Sequence, residues 1–179
     1  MLRNADGTVV VRLNASGLPR PPNTVVANWA SVERLGNEFE LVFGQLVRSE
    51  KRLNAALHMT LPCPKMAELL ASESIGGAAP FMDLLEAYAG KHVMESYAPE
   101  PGVAMPSERC VFERASVAFL AQAEEEAEAR FFHLSPADGA VSAGRPLEEL
   151  RASIKPVVAV MMNTSILWYV CRTCRELLR

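Results

Sequence analysis

Cysteine is scarce in this sequence, and neither glycine nor proline is abundant enough to define an unusual class of protein. The 4 cysteines among 179 residues are too few for a disulfide framework. The 10 glycines and 12 prolines exclude collagen-like and low-complexity chains. Because half of the residues are apolar and the formal net charge is only −3, the sequence is not typical of a disordered protein. We expect one globular unit that needs no disulfide or metal ion to hold it together.

Long apolar segments are also missing. The first residues include Arg3, Asp6 and Gly7 and no apolar core of signal-peptide length, so we expect a protein of the reducing cytoplasm. The longest uncharged run is Pro156 to Cys171. As a helix it would measure about 24 Å, less than the ~30 Å hydrocarbon core of a bilayer. We therefore expect no membrane span.

Basic clusters and catalytic motifs are absent as well. No basic stretch is interleaved with aromatic residues, and acidic residues concentrate between positions 61 and 140, so no nucleic-acid partner is expected. No phosphate-binding glycine loop, nucleophile elbow, zinc-protease or calcium-loop motif occurs. Asp83 and Glu86 lie one turn apart but are typical of a solvated helix face. The sequence favours a protein without enzymatic activity or cofactor, and leaves open an unrecognised site around His58 and Glu38.

The first third of the chain predicts β-strands. Apolar and polar residues alternate with a period of two, most regularly from Arg52 to Leu61, as in a half-buried strand. Gly44, inside one such run, is typical of a bulge. Turn residues separate the runs, which favours an antiparallel β-meander. Its four predicted strands cover Thr8–Leu13, Thr24–Glu33, Glu38–Val47 and Arg52–Leu61.

After Leu61 the apolar period becomes helical. We predict a short helix over 65–72, a second over 80–97, a long third helix over 107–130 and a last helix over 156–178. Valine and phenylalanine between Cys110 and Leu120 leave a strand open as the alternative there. The predicted fold class is α+β, with residues 1–72 as a β-meander plus a short helix. Residues 73–179 are predicted to form a helical part packed on that sheet, and no internal repeat is evident.

The last predicted helix suggests how the protein associates. Its first half is apolar on opposite sides, and such a helix is buried on both sides. In a small chain the second covering surface is expected to be another subunit, so we predict a homo-oligomer. The predicted contact residues are Val157, Val160, Met161, Leu167 and Trp168. Trp29 is either an exposed anchor for a protein or peptide partner or, if helices cover its face of the sheet, a core residue.

Cys171 and Cys174 form a C-x-x-C pair near the end of the last predicted helix. The helix dipole there disfavours a thiolate, whereas redox pairs stand at helix N-termini. A structural zinc site needs two further ligands at matching spacing, and the other cysteines and histidines are scattered. Buried core cysteines are the favoured interpretation, and a thiol-redox or zinc-binding protein is the alternative.

Residues 23–72 resemble a small uncharacterised bacterial and archaeal domain family. The likeness rests on Asn28, the Glu38–Phe43 segment EFELVF, the strand from Leu53 to Leu61 and the helix from Pro62 to Leu70. The resemblance implies no established activity. The order of four strands followed by helices is also similar to that of the SecB export chaperones, acidic oligomers that bind unfolded chains. Together these features predict a non-enzymatic, oligomeric module that binds proteins or peptides. Its expected role is that of a chaperone-like protein or an assembly factor.

Overall fold

The computed structural model describes residues 2–3, 9–10, 20–71, 80–92, 94, 111–115, 117–123, 125–133 and 155–179. It has an α+β fold with two four-stranded mixed sheets. Its strands and helices are, in chain order, β1 (Leu2–Arg3), β2 (Val9–Val10), β3 (Thr24–Ala27), β4 (Trp29–Leu35), β5 (Glu38–Val47), β6 (Arg52–Pro62), α1 (Cys63–Leu70), α2 (Phe81–Ala89), β7 (Val111–Arg114), β8 (Val117–Ala123), β9 (Glu126–His133), β10 (Lys155–Asn163) and α3 (Thr164–Leu177).

The two larger sheets have matching strand orders. In the first sheet the order is β4-β5-β6-β7, with antiparallel pairing except between β6 and β7, which are parallel. In the second sheet the order is β3-β10-β9-β8, with antiparallel pairing except between β10 and β3. The short strands β1 and β2 pair with each other. Each large sheet therefore contains one strand that comes from the distant part of the sequence.

The strands β3 and β4 are one continuous segment that bends at Asn28 and passes from the second sheet to the first. The backbone N–H of Asn28 donates to the carbonyl of Gly44 at 3.1 Å. Its side-chain amide donates to the carbonyl of Leu46 at 3.2 Å, and its Oδ1 accepts from the N–H of Leu46 at 2.7 Å. The asparagine side chain thus takes the place of a backbone pair where the strand leaves the ladder.

The chain contains two copies of one supersecondary unit. The first unit comprises β3, β4, β5, β6 and α1, and the second comprises β7, β8, β9, β10 and α3. In each unit the first short strand pairs in parallel with the last strand of the other unit. The two units have exchanged their first strands, so that each sheet is completed by its neighbour.

The registers of the two units agree in detail. The pairing of β5 with β6 skips Ala56, and the pairing of β9 with β10 skips the equivalent residue, Val157. The bulge expected near Gly44 is therefore present, and it occurs twice. This correspondence extends to the helix starts: the N–H of Cys63 donates to the carbonyl of Asn37 at 2.9 Å, and the N–H of Thr164 donates to the carbonyl of Glu125 at 2.8 Å.

The buried side chains of both sheets and of α1, α2 and α3 form one hydrophobic core. The rings of Phe43 and Phe131, which are equivalent residues of the two units, contact each other with centroids 6.1 Å apart. Contact between equivalent residues is expected beside an approximate two-fold axis that relates the two units. The helix α3 packs along β4 and the helix α1 packs against β8, so each helix covers an outer strand of a sheet.

Several sequence expectations for the second half were wrong. The predicted helix over 107–130 is replaced by the strands β7, β8 and β9, which confirms the strand alternative for residues 111–114 and 117–120. Ser107, Cys110 and Tyr97 lie outside the described residues, as do most of residues 73–110. The part of 73–179 that the structure describes contains the four strands β7 to β10 as well as α2 and α3, so it is not a helical part packed on a sheet of the first 72 residues.

The last helix is shorter than predicted because Asn163 caps it. The Oδ1 of Asn163 accepts from the N–H of Ser165 at 2.8 Å, which fixes the helix start at Thr164. Residues 155–163 before it form a central strand, β10, covered on its core face and partly covered on its outer face. A strand that is covered on both faces is apolar without alternation. This is why the segment was predicted to be a helix that is apolar on opposite sides.

The predicted four-stranded meander is present in part. The strands β4, β5 and β6 form a three-stranded antiparallel meander. The run Thr24–Glu33 is divided at Asn28 between the two sheets. Of the run Thr8–Leu13, the structure describes only Val9–Val10, which pairs with Leu2–Arg3.

Candidate functional site

The outer faces of the two sheets differ most at one pair of equivalent corners. On the second sheet, Val26 of β3 lies directly opposite Met161 of β10, and Thr24 lies opposite Ala159. Val26 is 60% exposed, the largest exposed fraction among the large apolar side chains of the described residues, and Met161 is half-buried. We call the surface formed by Val26 and Met161 the apolar corner; Ala159, next to it on β10, is buried.

The equivalent corner of the first sheet carries ionisable side chains. Arg114 of β7 corresponds to Val26, Thr60 of β6 to Met161, and His58 to Ala159. The guanidinium of Arg114 donates to Glu38, and Nε2 of His58 lies 3.1 Å from Oε2 of Glu40. We call the surface formed by Glu38, Glu40, His58 and Arg114 the charged corner.

The predicted enzyme residues His58 and Glu38 lie on this charged corner. The structure joins His58 to Glu40, on the neighbouring strand, and joins Glu38 to Arg114. Both contacts connect polar side chains of different strands, the first as a hydrogen bond and the second as an ion pair, and such contacts stabilise the polar face of a sheet. Sequence analysis did not identify Arg114 because it lies in the segment interpreted as a helix.

The second sheet holds its own ion pair at the positions equivalent to Glu40 and Val42. The guanidinium of Arg130 donates to Oε2 of Glu128 at 2.7 Å, and both side chains are largely buried. The hydrogen bond that Arg130 donates to Glu128 raises the pKa of Arg130, and burial opposes that effect. This pair sits beside the apolar corner, because Glu128 lies opposite Met161 in the antiparallel pairing.

Cys171 and Cys174 are buried in the face of α3 that meets the core. Burial raises the pKa of the Cys171 thiol to about 12, and it also raises the pKa of Cys174. A thiol held neutral in this way is a poor nucleophile and metal ligand. Among the residues that the structure describes, no three histidine, cysteine, aspartate or glutamate side chains are grouped so that they could hold a metal ion.

The predicted partner-binding residues divide into two groups. Trp29, Val160 and Leu167 are buried, so they are core residues, and the exposed-anchor interpretation of Trp29 was wrong. Trp29 is only 3% exposed and pairs across strands with Gly44. Val157, Met161 and Trp168 are half-buried and keep part of their surface accessible.

Trp168 belongs to a contact between α2 and α3. Its Nε1 donates to Oε2 of Glu86 at 3.2 Å, and the guanidinium of Arg175 donates to Oε1 of Glu86 at 2.6 Å. Arg172 lies over the Trp168 ring, 5.0 Å from its centroid. The expectation that Glu86 belongs to a solvated helix face was therefore wrong, whereas Asp83 is exposed.

A small cavity lies where the two sheets meet α1 and α3. Its volume is about 10 Å³, and its lining, which includes Leu41, Phe43, Ala129 and Phe131, is apolar throughout. A space of this size is at the lower limit for one water molecule, and an apolar lining leaves such a space dry. The cavity is a packing defect at the junction of the two units and has the wrong size for a substrate.

Comparisons with known proteins add no relative. The likenesses of residues 23–72 to a small domain family and of the strand order to SecB therefore stay predictions. Within the described part of the chain, none of the helices is both long enough and apolar enough to span a bilayer. No family model, curated protein or solved structure matches this chain.

Proposed function

We propose that the protein is a non-enzymatic module that binds polypeptides through the apolar corner, and that two copies associate through this corner when no other partner is present. The observation that carries the proposal is the exposure of Val26 beside Met161, at a position where the other unit has Arg114. Exposed apolar side chains that adjoin one another are the usual mark of a protein-binding surface.

The arrangement of the sheets favours docking on a face over addition of a strand. Strand addition needs an unpaired sheet edge. Three of the four edge strands have another element beside them: α3 packs along β4, α1 packs against β8, and β3 continues into β4 around the bend at Asn28. A partner segment would then lie across β3 and β10, with its apolar side chains on Val26 and Met161.

The ionisable groups at the sheet faces support a binding role over catalysis. Arg114 with Glu38 and Arg130 with Glu128 are paired oppositely charged groups, and His58 hydrogen-bonds Glu40, in contacts that stabilise sheet faces. The cavity between the units is too small and too apolar to hold a substrate. The glutamate and arginine beside the apolar corner would form part of the polar rim that surrounds such an interface.

A reciprocal exchange of the two equivalent corner residues tests the proposal. Val26→Arg gives the second sheet the side chain of the charged corner, and Arg114→Val gives the first sheet the side chain of the apolar corner. Native mass spectrometry and light scattering over a concentration series measure association. We expect Val26→Arg to weaken self-association at least tenfold, because a solvated guanidinium replaces the exposed apolar contact.

Arg114→Val serves as the matched variant. It should leave the original association intact and increase the tendency to form larger species, since each copy then has two apolar corners. Thermal melts of both variants check that the fold is retained. A wild-type protein that stays monomeric at high concentration, or a Val26→Arg variant that associates like the wild type, contradicts the proposal.

A further inference from the structure

The helix α2 lies outside the duplicated unit. It occupies the segment between α1, which ends the first unit, and β7, which begins the second. Its buried side chains, Phe81, Met82 and Leu85, lie on one face, and it packs chiefly against α3. The two units form both sheets without any residue of α2, so α2 is an addition seated on the surface of α3.

The surface of α3 beneath α2 is equipped to receive a carboxylate. Trp168 Nε1 and the Arg175 guanidinium both donate to the carboxylate of Glu86, and Arg172 lies over the Trp168 ring. The buried side chains of α2, Phe81, Met82 and Leu85, belong to the same hydrophobic cluster as Cys171 and Cys174 of α3. An apolar seat bordered by two arginines and an indole N–H fits an amphipathic helix with an acidic residue beside its apolar stripe.

The contact with Glu86 leaves one hydrogen-bond donor of Arg175 unpaired. The Nε of Arg175 is buried and has no hydrogen-bond acceptor among the described residues. A carboxylate that faces an arginine side-on accepts from two of its nitrogens at once. Glu86 places one oxygen on Arg175 and the other on Trp168, so one buried donor stays unpaired, and that is unfavourable.

The helix α2 is also short. It has nine residues, it begins after Pro80, and no side chain caps its N-terminus by a hydrogen bond. An isolated helix of this length is unstable in water, so its position depends on packing against α3. Elements held in this way open at lower free energy than the core strands.

We propose that the face of α3 that α2 covers, which includes Trp168 and Arg175, is an acceptor for an acidic amphipathic helix of a partner protein, and that α2 occupies this acceptor as an internal competitor. A partner helix with apolar residues spaced like Phe81, Met82 and Leu85 fills the seat. A better-placed carboxylate on that helix accepts from both Nε and Nη2 of Arg175. This acceptor is distinct from the apolar corner and does not depend on the function proposed for it.

The test uses the full-length protein and a fluorescent synthetic peptide with the sequence of residues 80–92 as the probe. Glu86→Arg in the protein places a cation against Arg175 and releases α2 from the acceptor. We expect the peptide to bind this variant at least tenfold more tightly than the wild type, because the internal competitor no longer occupies the seat. The same peptide carrying Glu86→Arg should bind neither protein.

Glu68→Arg is the matched control, since Glu68 is an exposed glutamate of α1 that accepts from Lys65 of the same helix. It should bind the peptide like the wild type. Leu85→Ala is the second releasing variant, and hydrogen exchange of β10 checks that the sheets are intact in each protein. Equal peptide affinity for the wild type and both releasing variants overturns the proposal. The proposal is also overturned if, in the wild type, the amide hydrogens of α2 exchange as slowly as those of β10. In that case α2 would leave α3 only when the whole protein unfolds.

Discussion

One position near the end of a short parallel strand holds different chemistry in the two sheets of this molecule. On β7 the guanidinium of Arg114 reaches across β6 to Glu38 on β5, whereas on β3 the equivalent side chain, Val26, is exposed to solvent beside Met161. The backbone pairing around both positions is the same. The comparison separates the backbone pairing, which the fold requires and which is the same in both units, from the exposed side chains, which differ between the units.

The core beneath these corners is conserved in character between the units. Phe43 and Phe131 are the same residue type at equivalent positions and contact each other. The exposed corners share no such identity. Substitutions of the equivalent core residues should therefore lower the free energy of unfolding strongly. Substitutions of the equivalent surface residues should change it only slightly.

The largest effect is expected at the contact between the units. Phe43→Ala and Phe131→Ala should each lower the free energy of unfolding by about 3–5 kcal/mol, because each removes a fully buried ring. Since the two rings touch, the double variant should lose less than the sum of the single losses. Chemical denaturation of the four proteins measures this coupling. Strictly additive losses would contradict a shared packing site.

The buried thiols should make stability depend on alkaline pH. Folding raises the pKa of Cys171 to about 12, above its usual value near 9. Between these values the unfolded chain loses the thiol proton and the folded chain keeps it, so the free energy of unfolding should fall as pH rises from about 9. The limiting slope is about 1.4 kcal/mol per pH unit for one thiol.

Cys171→Ala removes this ionisation and should reduce the slope between pH 9 and 11 relative to the wild type. The rate of reaction with thiol reagents at pH 8 is a second measurement. Cys171 and Cys174 should react slowly in the folded protein and rapidly in denaturant. Rapid reaction in the folded state would favour the alternative of a redox-active pair.

The bend at Asn28 is expected to have an intermediate effect. Asn28→Ala removes both side-chain hydrogen bonds to Leu46. Because the residue is exposed and water replaces part of what is lost, the free energy of unfolding should fall by about 1 kcal/mol. Asn28→Asp keeps the oxygen that accepts from Leu46 and should recover part of the loss. An unchanged melting temperature for Asn28→Ala would show that the backbone alone fixes the bend.

The smallest effects are expected at the ion pairs on the sheet faces, and they should differ between the sheets. The Arg114 and Glu38 side chains are 68% and 35% exposed, whereas Arg130 and Glu128 are 16% and 24% exposed. Arg114→Gln should change the free energy of unfolding by less than about 0.5 kcal/mol. Arg130→Gln should lower it by about 1 kcal/mol or more, with a weaker dependence on salt. Equal losses in denaturant titrations at low and high salt would contradict this ranking.

The sequence alone predicted the α+β class and the meander of β4, β5 and β6, because one face of each strand is apolar and the other polar. It did not predict β10, since a central strand covered on both faces has no alternation. For β9 the signal was present: residues 126–131 alternate as Glu-Ala-Glu-Ala-Arg-Phe, but the preceding glutamates favoured a helix.

The duplication could not be read from the sequence either. The equivalent strands β6 and β10 share no identical residue in their registered positions, and the loops between the last two strands of the two units differ in length. The conserved property is the pairing pattern, with one skipped residue in each unit, and pairing depends on contacts between distant parts of the chain. For the same reason the apolar corner, which joins β3 to β10, was not predictable as one surface.

The exchange of first strands also determines when the protein can fold during synthesis. Residues 24–27 find their hydrogen-bonded neighbour only in residues 159–162, which the ribosome makes more than 130 residues later. Until then the first sheet can assemble from β4, β5, β6 and β7, whereas the second sheet has β8 and β9 but lacks β10, the strand that joins them to β3. Pairings between such distant segments form slowly and leave apolar surface exposed in the meantime. A chain interrupted before β10 would therefore present its unfinished second sheet to chaperones and proteases instead of forming a stable half.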